Sequence, residues 1–290
     1  MKVLVIGSTG MLGRAVMHEA HKRNINVAGI ARKAADICID ITDEEALKTA
    51  VVTFGPQVII NCAAMTSLQA CMRNPGEAYM INARSVASLS AISQQIEAYL
   101  VQISTDHYYI GDKDKKHTES DPVFLINEYA RTKYAGEQFA LTISNSLVVR
   151  TNIVGFRHIN GQPTFVEGII HALREKTPIT LFEDFYTSSL DVLKFSSALF
   201  ELIELRPKGI LNVASHDVSN KAEFITALAS KLDLSLDQTR MGSVKSLTDC
   251  IRAESIGLDV SKAEKLLGYR FPGFKEVIES LALYYGRLIK

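Results

Sequence analysis

The chain begins Met1-Lys2-Val3-Leu4-Val5-Ile6-Gly7-Ser8-Thr9-Gly10-Met11-Leu12-Gly13, and this stretch decides the fold. Its apolar run at residues 3–6 is typical of a strand buried on both faces of a parallel sheet. From residue 11 onward apolar residues recur at helical spacing, so three glycines occupy a turn between a strand and a helix. Backbone N–H groups and the positive end of the helix dipole can hold a pyrophosphate at such a turn. We therefore predict a dinucleotide-binding fold; the alternative is a glycine-rich turn without a ligand.

The three glycines are spaced three residues apart, which differs from the pattern G-x-G-x-x-G. We expect Gly7 to permit the tight turn, Gly10 to let a phosphate approach, and Gly13 to let the helix pack on the strand. The structural context of strand, turn and helix makes this motif more specific than the glycines alone.

Length and composition limit the class of protein. The chain has 290 residues, which suits one large or two modest domains, and Lys plus Arg (32) balance Asp plus Glu (32). We therefore expect no nucleic-acid or membrane surface. Apolar runs fall short of the roughly 20 residues that a spanning helix needs. The four cysteines form no C-x-x-C pair and the seven histidines form no metal motif, so we expect a cytoplasmic protein without a metal.

Strand and helix patterns alternate through the first half of the chain. Strands are predicted at residues 26–30, 37–39, 58–60, 100–104 and 147–149, and helices at 43–53, 78–96 and 128–141. Thr42 and Glu45 form a candidate capping box for the first of these helices, and Asn127 can cap the last. The alternation predicts an α/β fold, a Rossmann-type doubly wound parallel sheet with right-handed crossovers, over residues 1–155.

The pattern changes after about residue 155. Helices are predicted at residues 165–174, 191–205, 221–232, 261–267 and 274–288, with strands at 179–182 and 210–213. Residues 237–255 are polar and irregular. We interpret residues 156–290 as a smaller C-terminal α/β substrate-binding lobe over the carboxyl edge of the sheet, where ligands of open α/β sheets bind.

The residues after the second strand bear on the choice of cofactor. Binding of the NAD ribose calls for an acidic residue here, but Arg32 and Lys33 follow the strand and no carboxylate comes before Asp36. Because Arg suits bidentate phosphate contact, the pair favours the 2′-phosphate of NADPH, with NADH possible. The alternative is a solvated basic turn. Asp40, followed by Ile41, can accept a hydrogen bond from the adenine amino group.

Two spaced side chains suggest the chemistry. Tyr129 and Lys133 are four residues apart on a predicted helix, so both point from one face. An ammonium beside a phenol stabilises the phenolate, and such a tyrosine can give a proton to a carbonyl oxygen as hydride reaches carbon. Ser104 and Thr105 end a predicted strand, where a hydroxyl can bond the same oxygen. The alternatives are a surface helical pair and hydroxyls that only cap the strand.

These motifs resemble the extended, sugar-nucleotide branch of the short-chain dehydrogenase/reductase superfamily, and most closely its dTDP-4-dehydrorhamnose reductases. The resemblance runs nearly end to end. It is carried by the glycine turn and by the segments Asn61-Cys62-Ala63-Ala64-Met65-Thr66, Ile81-Asn82-Ala83, Ser104-Thr105-Asp106, Arg131-Thr132-Lys133-Tyr134-Ala135-Gly136-Glu137, Val149-Arg150-Thr151 and Gly209-Ile210-Leu211-Asn212-Val213-Ala214.

The resemblance implies roles for individual residues. Thr105, Tyr129 and Lys133 would be catalytic, with Lys133 also binding the nicotinamide ribose. The implied cofactor-binding set is Gly7, Thr9, Gly10, Met11, Leu12, Gly13, Arg32, Lys33, Asp40, Ile41, Ala63, Ala64, Met65, Tyr129 and Lys133. The implied substrate-binding set is Thr66, Thr105, Asp106 and Ile153.

The departures from the family pattern fall at the substrate end. Ile153 stands where the family has a tryptophan that contacts the sugar nucleotide, and this chain contains no tryptophan. Arg252-Ala253-Glu254-Ser255-Ile256 replaces the family's Arg-Pro-x-Asn-Ser. The cofactor motifs are unchanged.

The resemblance implies an NADPH-dependent reductase of a 4-keto-6-deoxy-sugar nucleotide, active in polysaccharide biosynthesis and possible as a homodimer. One alternative is an epimerase or dehydratase that retains NAD, although the second acid usual after the dehydratase threonine is replaced by His107. Another is a non-catalytic, dinucleotide-binding regulatory subunit, such as the methionine adenosyltransferase β subunit.

Overall fold

A parallel sheet forms the centre of the computed structural model, which describes residues 1–157 and 163–288. The strands of the described residues are β1 (Lys2–Ile6), β2 (Asn26–Ala31), β3 (Ile37–Cys38), β4 (Val58–Asn61), β5 (Tyr99–Ile103), β6 (Ser146–Arg150), β7 (Ile153–Val154), β8 (Ile179–Phe182), β9 (Tyr186–Thr187), β10 (Leu190–Asp191), β11 (Gly209–Asn212), β12 (Ser219–Asn220), β13 (Thr239–Gly242) and β14 (Ser255–Ile256).

The helices complete the alternation. They are α1 (Met11–Lys22), α2 (Glu44–Phe54), α3 (Leu68–Arg73), α4 (Pro75–Tyr79), α5 (Ser85–Gln95), α6 (Glu128–Ala140), α7 (Phe165–Arg174), α8 (Val192–Leu205), α9 (Lys221–Lys231), α10 (Ser261–Leu267) and α11 (Phe274–Leu288), with a π-helical segment at Met80–Arg84 and a 3₁₀ turn at Val244–Ser246.

The seven-stranded sheet has the order β11-β6-β5-β4-β1-β2-β3. Strand order reverses beside β1, which pairs in parallel with β2 on one side and β4 on the other. This order is that of a doubly wound sheet, and the predicted fold class is confirmed. The central strands are buried along their whole length, because helices pack on both faces of such a sheet.

The chain forms two compact units, each assembled from separate stretches. The first contains residues 1–105, 125–150 and 196–211; the second contains residues 106–124, 151–195 and 212–290. The division of function at residue 155 stays a prediction. Among the described residues, no helix is long and apolar enough to cross a lipid bilayer.

Three local predictions were wrong. Asp43 caps α2 by accepting from Ala46 N–H, because the helix begins at Glu44, and the Thr42 hydroxyl donates to Asp40 instead. The single helix predicted at residues 78–96 is interrupted by the π-helical segment Met80–Arg84. The stretch at 237–255 is not wholly irregular, since it contains β13, paired in parallel with β8.

Candidate functional site

The glycine turn is shaped by two close backbone approaches. Gly7 has φ +78°, and a Cβ there would lie 2.7 Å from the backbone nitrogen of Ala63. A Cβ on Gly13 would lie 2.1 Å from the carbonyl oxygen of Gly7, so only glycine lets α1 pack at this distance. A Cβ on Gly10, in contrast, would meet only the Gly7 oxygen at 3.4 Å. Gly7 and Gly13 therefore hold the turn together, while Gly10 presents backbone with little protein over it.

The start of α1 fits an anionic ligand. The turn is anchored to β2, since the N–H groups of Gly7 and Ser8 both donate to the Ile30 carbonyl oxygen at 2.8 and 3.1 Å. Helix α1 begins at Met11 with Gly10 as N-cap, and no side chain caps its first N–H groups. Thr9 accepts from Arg14 Nε at 3.1 Å through its carbonyl oxygen. Uncapped N–H groups at a helix start are what a pyrophosphate requires.

The segment after β2 holds both signs of charge. Arg32 and Lys33 are exposed, and their contact with a 2′-phosphate stays a prediction. Asp36 folds back, and its carboxylate accepts from Gly29 N–H at 2.7 Å. Asp40 accepts from the backbone and hydroxyl of Thr42, and these bonds, aided by Arg32, hold the pKa of the Asp40 carboxyl below its usual range.

The loop after β4 is fixed by two asparagines. Ala63 N–H donates to the Asn61 side chain at 3.2 Å. Met65 is bound twice by Asn82, whose Oδ1 accepts from its N–H at 2.8 Å and whose Nδ2 donates to its carbonyl oxygen at 3.0 Å. Thr66, the next residue, is exposed. The loop that is predicted to line the nicotinamide is therefore held by side chains that lie outside it in the sequence.

Asn82 also contacts the helix that carries the tyrosine and lysine. Its Nδ2 lies 3.1 Å from the hydroxyl oxygen of Thr132 on α6. The π-helical segment brings Asn82 close to α6, where a Cβ on Gly136 would lie 2.2 Å from the Asn82 carbonyl oxygen. Nothing in the sequence indicates this role of Asn82, because a π-helical turn leaves no clear signal in apolar periodicity.

Helix α6 and strand β5 bring the predicted catalytic residues together in the first unit. Asn127 caps the helix by accepting from Ala130 N–H at 2.8 Å, as predicted. Tyr129 lies in the first turn and Lys133 one turn later, with 8% and 3% of their surfaces exposed. Lys133 Nζ donates to the carbonyl oxygen of Ile103 at 2.7 Å, two residues before the buried Thr105. The pair is therefore not a surface helical pair.

The surroundings of Lys133 change its proton affinity. Burial lowers the pKa of Lys133 to about 8, and the Glu137 carboxylate partly opposes this effect. Cys62, which precedes the Ala63–Met65 loop, also acts on Lys133, and burial raises the pKa of its thiol to about 12. The ammonium form of Lys133 therefore prevails at neutral pH and is lost above pH 8.

The second unit contains Asp106 and Ile153, the remaining predicted substrate-binding residues. Asp106 is 1% exposed and accepts from the Asn152 amide at 2.7 Å. Asn152 in turn accepts from the Ser189 hydroxyl at 2.7 Å. Ile153 is half-buried on β7, paired with Leu190.

A lysine that the sequence analysis missed lies near Asp106. Lys221 Nζ sits over the rings of Phe165, Phe185 and Phe224, at 4.2, 5.6 and 5.8 Å from their centroids. Burial lowers the pKa of Lys221 to about 8, and Asp106 attracts the ammonium. The contacts that define the position of this ammonium are with aromatic faces.

Two further side chains of the second unit, His107 and Arg252, are linked to Lys221 through their electrostatic effects. Burial, together with Lys221 and Arg252, lowers the pKa of His107 to about 4, so this imidazole is neutral at neutral pH. Arg252 pairs with Asp249 through Nη2, but its buried Nε has no partner within residues 1–157 and 163–288. The second unit therefore offers cationic donors to an acceptor-rich ligand. No cluster of possible metal ligands occurs in the same described residues.

The fold and the site define an extended short-chain dehydrogenase/reductase. A family model described as the RmlD substrate binding domain matches residues 1–285, so the chain belongs to the RmlD substrate-binding domain family. A solved structure of dTDP-4-dehydrorhamnose reductase from Bacillus anthracis, in complex with NADP, superposes with a TM-score of 0.88 at 26% identity, covering 98% of this chain and 100% of that one.

Two curated relatives show the range of proteins with this sequence pattern. The spore coat polysaccharide biosynthesis protein SpsK of Bacillus subtilis is 27% identical over 234 residues, 80% of each chain. Methionine adenosyltransferase 2 subunit beta of Mus musculus is 26% identical over 303 residues, 97% of this chain and 87% of the relative. The predicted family is confirmed, and so are the predicted enzyme class and nicotinamide cofactor.

Proposed function

We propose that the protein is an NADPH-dependent reductase of a 4-keto-6-deoxy-sugar nucleotide. The observation that carries this proposal is the buried set of Tyr129, Lys133 and Thr105, in the same unit as the uncapped glycine turn. Residues at the turn and in the Ala63–Met65 loop would hold the cofactor. Bound NADPH would supply the hydride.

The chain's own residues would handle the proton and the carbonyl group. Thr105 would orient the keto oxygen by a hydrogen bond, and Tyr129 would give that oxygen a proton. Lys133 would stabilise the phenolate left on Tyr129, since its ammonium is held on the Ile103 carbonyl oxygen and protonated at neutral pH. Buried groups that keep their geometry without water can stabilise charge more strongly than groups in solution.

The family resemblance also supplies the substrate-binding residues of this proposal. Thr66 and Asp106 would meet the sugar nucleotide, with Ile153 in the position of the family's tryptophan. The cationic donors Lys221 and Arg252 suit the phosphate groups of such a substrate, because charge-assisted hydrogen bonds to phosphate are strong. We further propose that the protein is cytoplasmic. We also propose that it forms a homodimer, and light scattering would test this by measuring its mass in solution.

The decisive experiment follows NADPH absorbance with dTDP-, UDP-, GDP- and CDP-linked 4-keto-6-deoxy sugars. We expect oxidation with at least one of them and a product that carries a new hydroxyl. Tyr129→Phe should abolish this oxidation. Its matched control is Tyr134→Phe, which removes a phenol from the same helix outside the proposed catalytic set and should keep the activity. No oxidation with any substrate, by protein that binds NADPH, would contradict the proposal.

A regulatory subunit is the second candidate. The specific observation in its favour is the likeness to methionine adenosyltransferase 2 subunit beta over 97% of this chain. In that case a pull-down should recover a partner in stoichiometric amount, and Tyr129→Phe should leave that complex intact. The buried Tyr129 and Lys133 favour the reductase, because a regulatory role does not require them.

A further inference from the structure

A buried ion pair lies one helical turn beyond Lys133, and the proposed reaction does not use it. Arg150, at the end of β6, donates to Glu137 of α6 through Nε at 3.0 Å and Nη2 at 2.8 Å. The two side chains are 3% and 0% exposed. Apolar residues of similar volume often stabilise a core as well as a buried ion pair does. A gain in stability therefore does not explain well why an ion pair occupies these positions, and the residues around the pair suggest a different role.

Glu137 lies on the same helix face as Lys133, because the two are four residues apart. Lys133 Nζ donates to the Ile103 carbonyl oxygen of β5. The Glu137 carboxylate therefore pairs with the guanidinium of Arg150 and also attracts the ammonium of Lys133.

The Tyr129 phenol lies one turn before Lys133 on α6. The other titratable groups that act on Lys133 are the thiols of Cys62 after β4 and Cys71 on α3, and both are neutral at neutral pH. Burial raises the pKa of Cys62 to about 12 and that of Cys71 to about 11. Among the described residues, Glu137 is therefore the anionic group that acts on Lys133.

We propose that Glu137 and Arg150 are positioning residues for Lys133: Glu137 shares one carboxylate between two cations, and Arg150 determines how much of its charge acts on the lysine. This inference rests on the role proposed for Lys133 in the reductase. Neither residue touches the reacting atoms; both act through the lysine.

The shared carboxylate predicts opposite effects of two substitutions. In Glu137→Gln the attraction is removed, so Lys133 should lose its proton at a lower pH. In Arg150→Met the competing cation is removed, so Glu137 acts on Lys133 alone and the lysine should keep its proton to a higher pH. A pair with only a structural role would give no such opposite shifts, because both variants would simply loosen the core.

The test measures the titration of Lys133 directly by carbon-13 NMR of lysine ε-carbons, with the resonance assigned from its loss in Lys133→Met. We expect the midpoint to fall by about one pH unit in Glu137→Gln and to rise in Arg150→Met, where one unit is a tenfold change in proton affinity. Glu128→Gln is the matched control, since it breaks an exposed ion pair with Arg131 on the same helix and should leave the midpoint unchanged. Equal midpoints in all proteins, or shifts in the same direction for both variants, would overturn the proposal.

Either single substitution leaves one buried charge without its partner, and the protein could then fail to fold. A double variant avoids this problem. Glu137→Gln/Arg150→Met removes both charges, and its Lys133 midpoint should lie below that of the unaltered protein; an unchanged midpoint would overturn the proposal. The titration needs no substrate. It therefore separates failure of this inference from failure of the proposed function, which shows only in turnover.

Discussion

Each of the two units contains one lysine of the candidate site, and the two lysines differ in what surrounds them. Burial lowers the pKa of Lys133 and of Lys221 to about 8. Lys133 is directed by a 2.7 Å hydrogen bond to a backbone carbonyl oxygen. Lys221 rests on aromatic faces, the nearest centroid at 4.2 Å, which attract a cation without fixing its N–H directions.

The difference between the two surroundings indicates different tasks. A directional bond from a buried strand holds an ammonium in one place, as a group that tunes a neighbouring phenol requires. An aromatic surround keeps the charge but leaves its donors available for a ligand. We therefore expect changes in the first unit to affect turnover, and changes in the second to affect substrate binding.

The largest effect should come from Tyr129→Phe. Loss of the proton donor should lower kcat about a hundred- to ten-thousandfold, the range for general acid catalysis. NADPH affinity should change little, since the glycine turn is untouched. Steady-state kinetics and a fluorescence titration of NADPH measure the two quantities, and a variant with normal turnover would remove Tyr129 from the mechanism.

The next effect concerns the cofactor. If Arg32 and Lys33 meet a 2′-phosphate, each contact contributes roughly five- to thirtyfold in affinity. Changing both to Ala should erase most of the preference for NADPH and spare NADH. Titrations at fixed ionic strength check this, and added salt should weaken NADPH binding more than NADH binding. Equal affinities in the unaltered protein would show that the two cations form only a solvated turn.

Asp36 is the residue to test beside them. Its carboxylate accepts from Gly29 N–H on β2, so it lies near the strand from which the NAD ribose is usually bound. Asp36→Asn keeps that position and removes the charge. If NADPH is the cofactor, this variant should bind NADPH at least as tightly; a selective loss of NADH binding would show that Asp36 serves the ribose.

Replacement of Lys221 by Met should raise KM about tenfold, with a smaller change in kcat, because the ammonium would bind substrate in both ground and transition state. The methionine still fills the space among the phenylalanines. Lys265→Met is the matched control, as it removes an exposed lysine of the same unit. A fall in kcat at unchanged KM would contradict the division of tasks between the two lysines.

The last of these predictions concerns pH. The pKa of Lys133 lies near 8, so the reactive ammonium is present below that value and is lost as the pH rises through it. kcat should fall by at most about tenfold for each pH unit above 8. A pH profile of kcat with saturating substrate tests this; an activity that stays level to pH 10, about two units above that pKa, would show that the lysine charge is not required.

The sequence predicts the first unit better than the second, for physical reasons. Gly7, Asn127 and the pair Tyr129–Lys133 act through local spacing, which a sequence displays directly. Asn82 reaches its partners through a π-helical turn, and Asp36 folds back onto β2; neither shows in a periodic pattern. The surround of Lys221 joins phenylalanines far apart in the chain, so only the folded structure brings them together.

Hydride transfer is the most direct measure of the central claim, that this site reduces a keto-sugar nucleotide. NADPH deuterated at its transferable position is mixed with the best substrate of the panel, and the product is examined by mass spectrometry and NMR. We predict one deuterium per product molecule, on the carbon that carried the keto group, with one NADPH consumed for each. Product without deuterium, or turnover without consumption of NADPH, would contradict the account and indicate a retained cofactor instead.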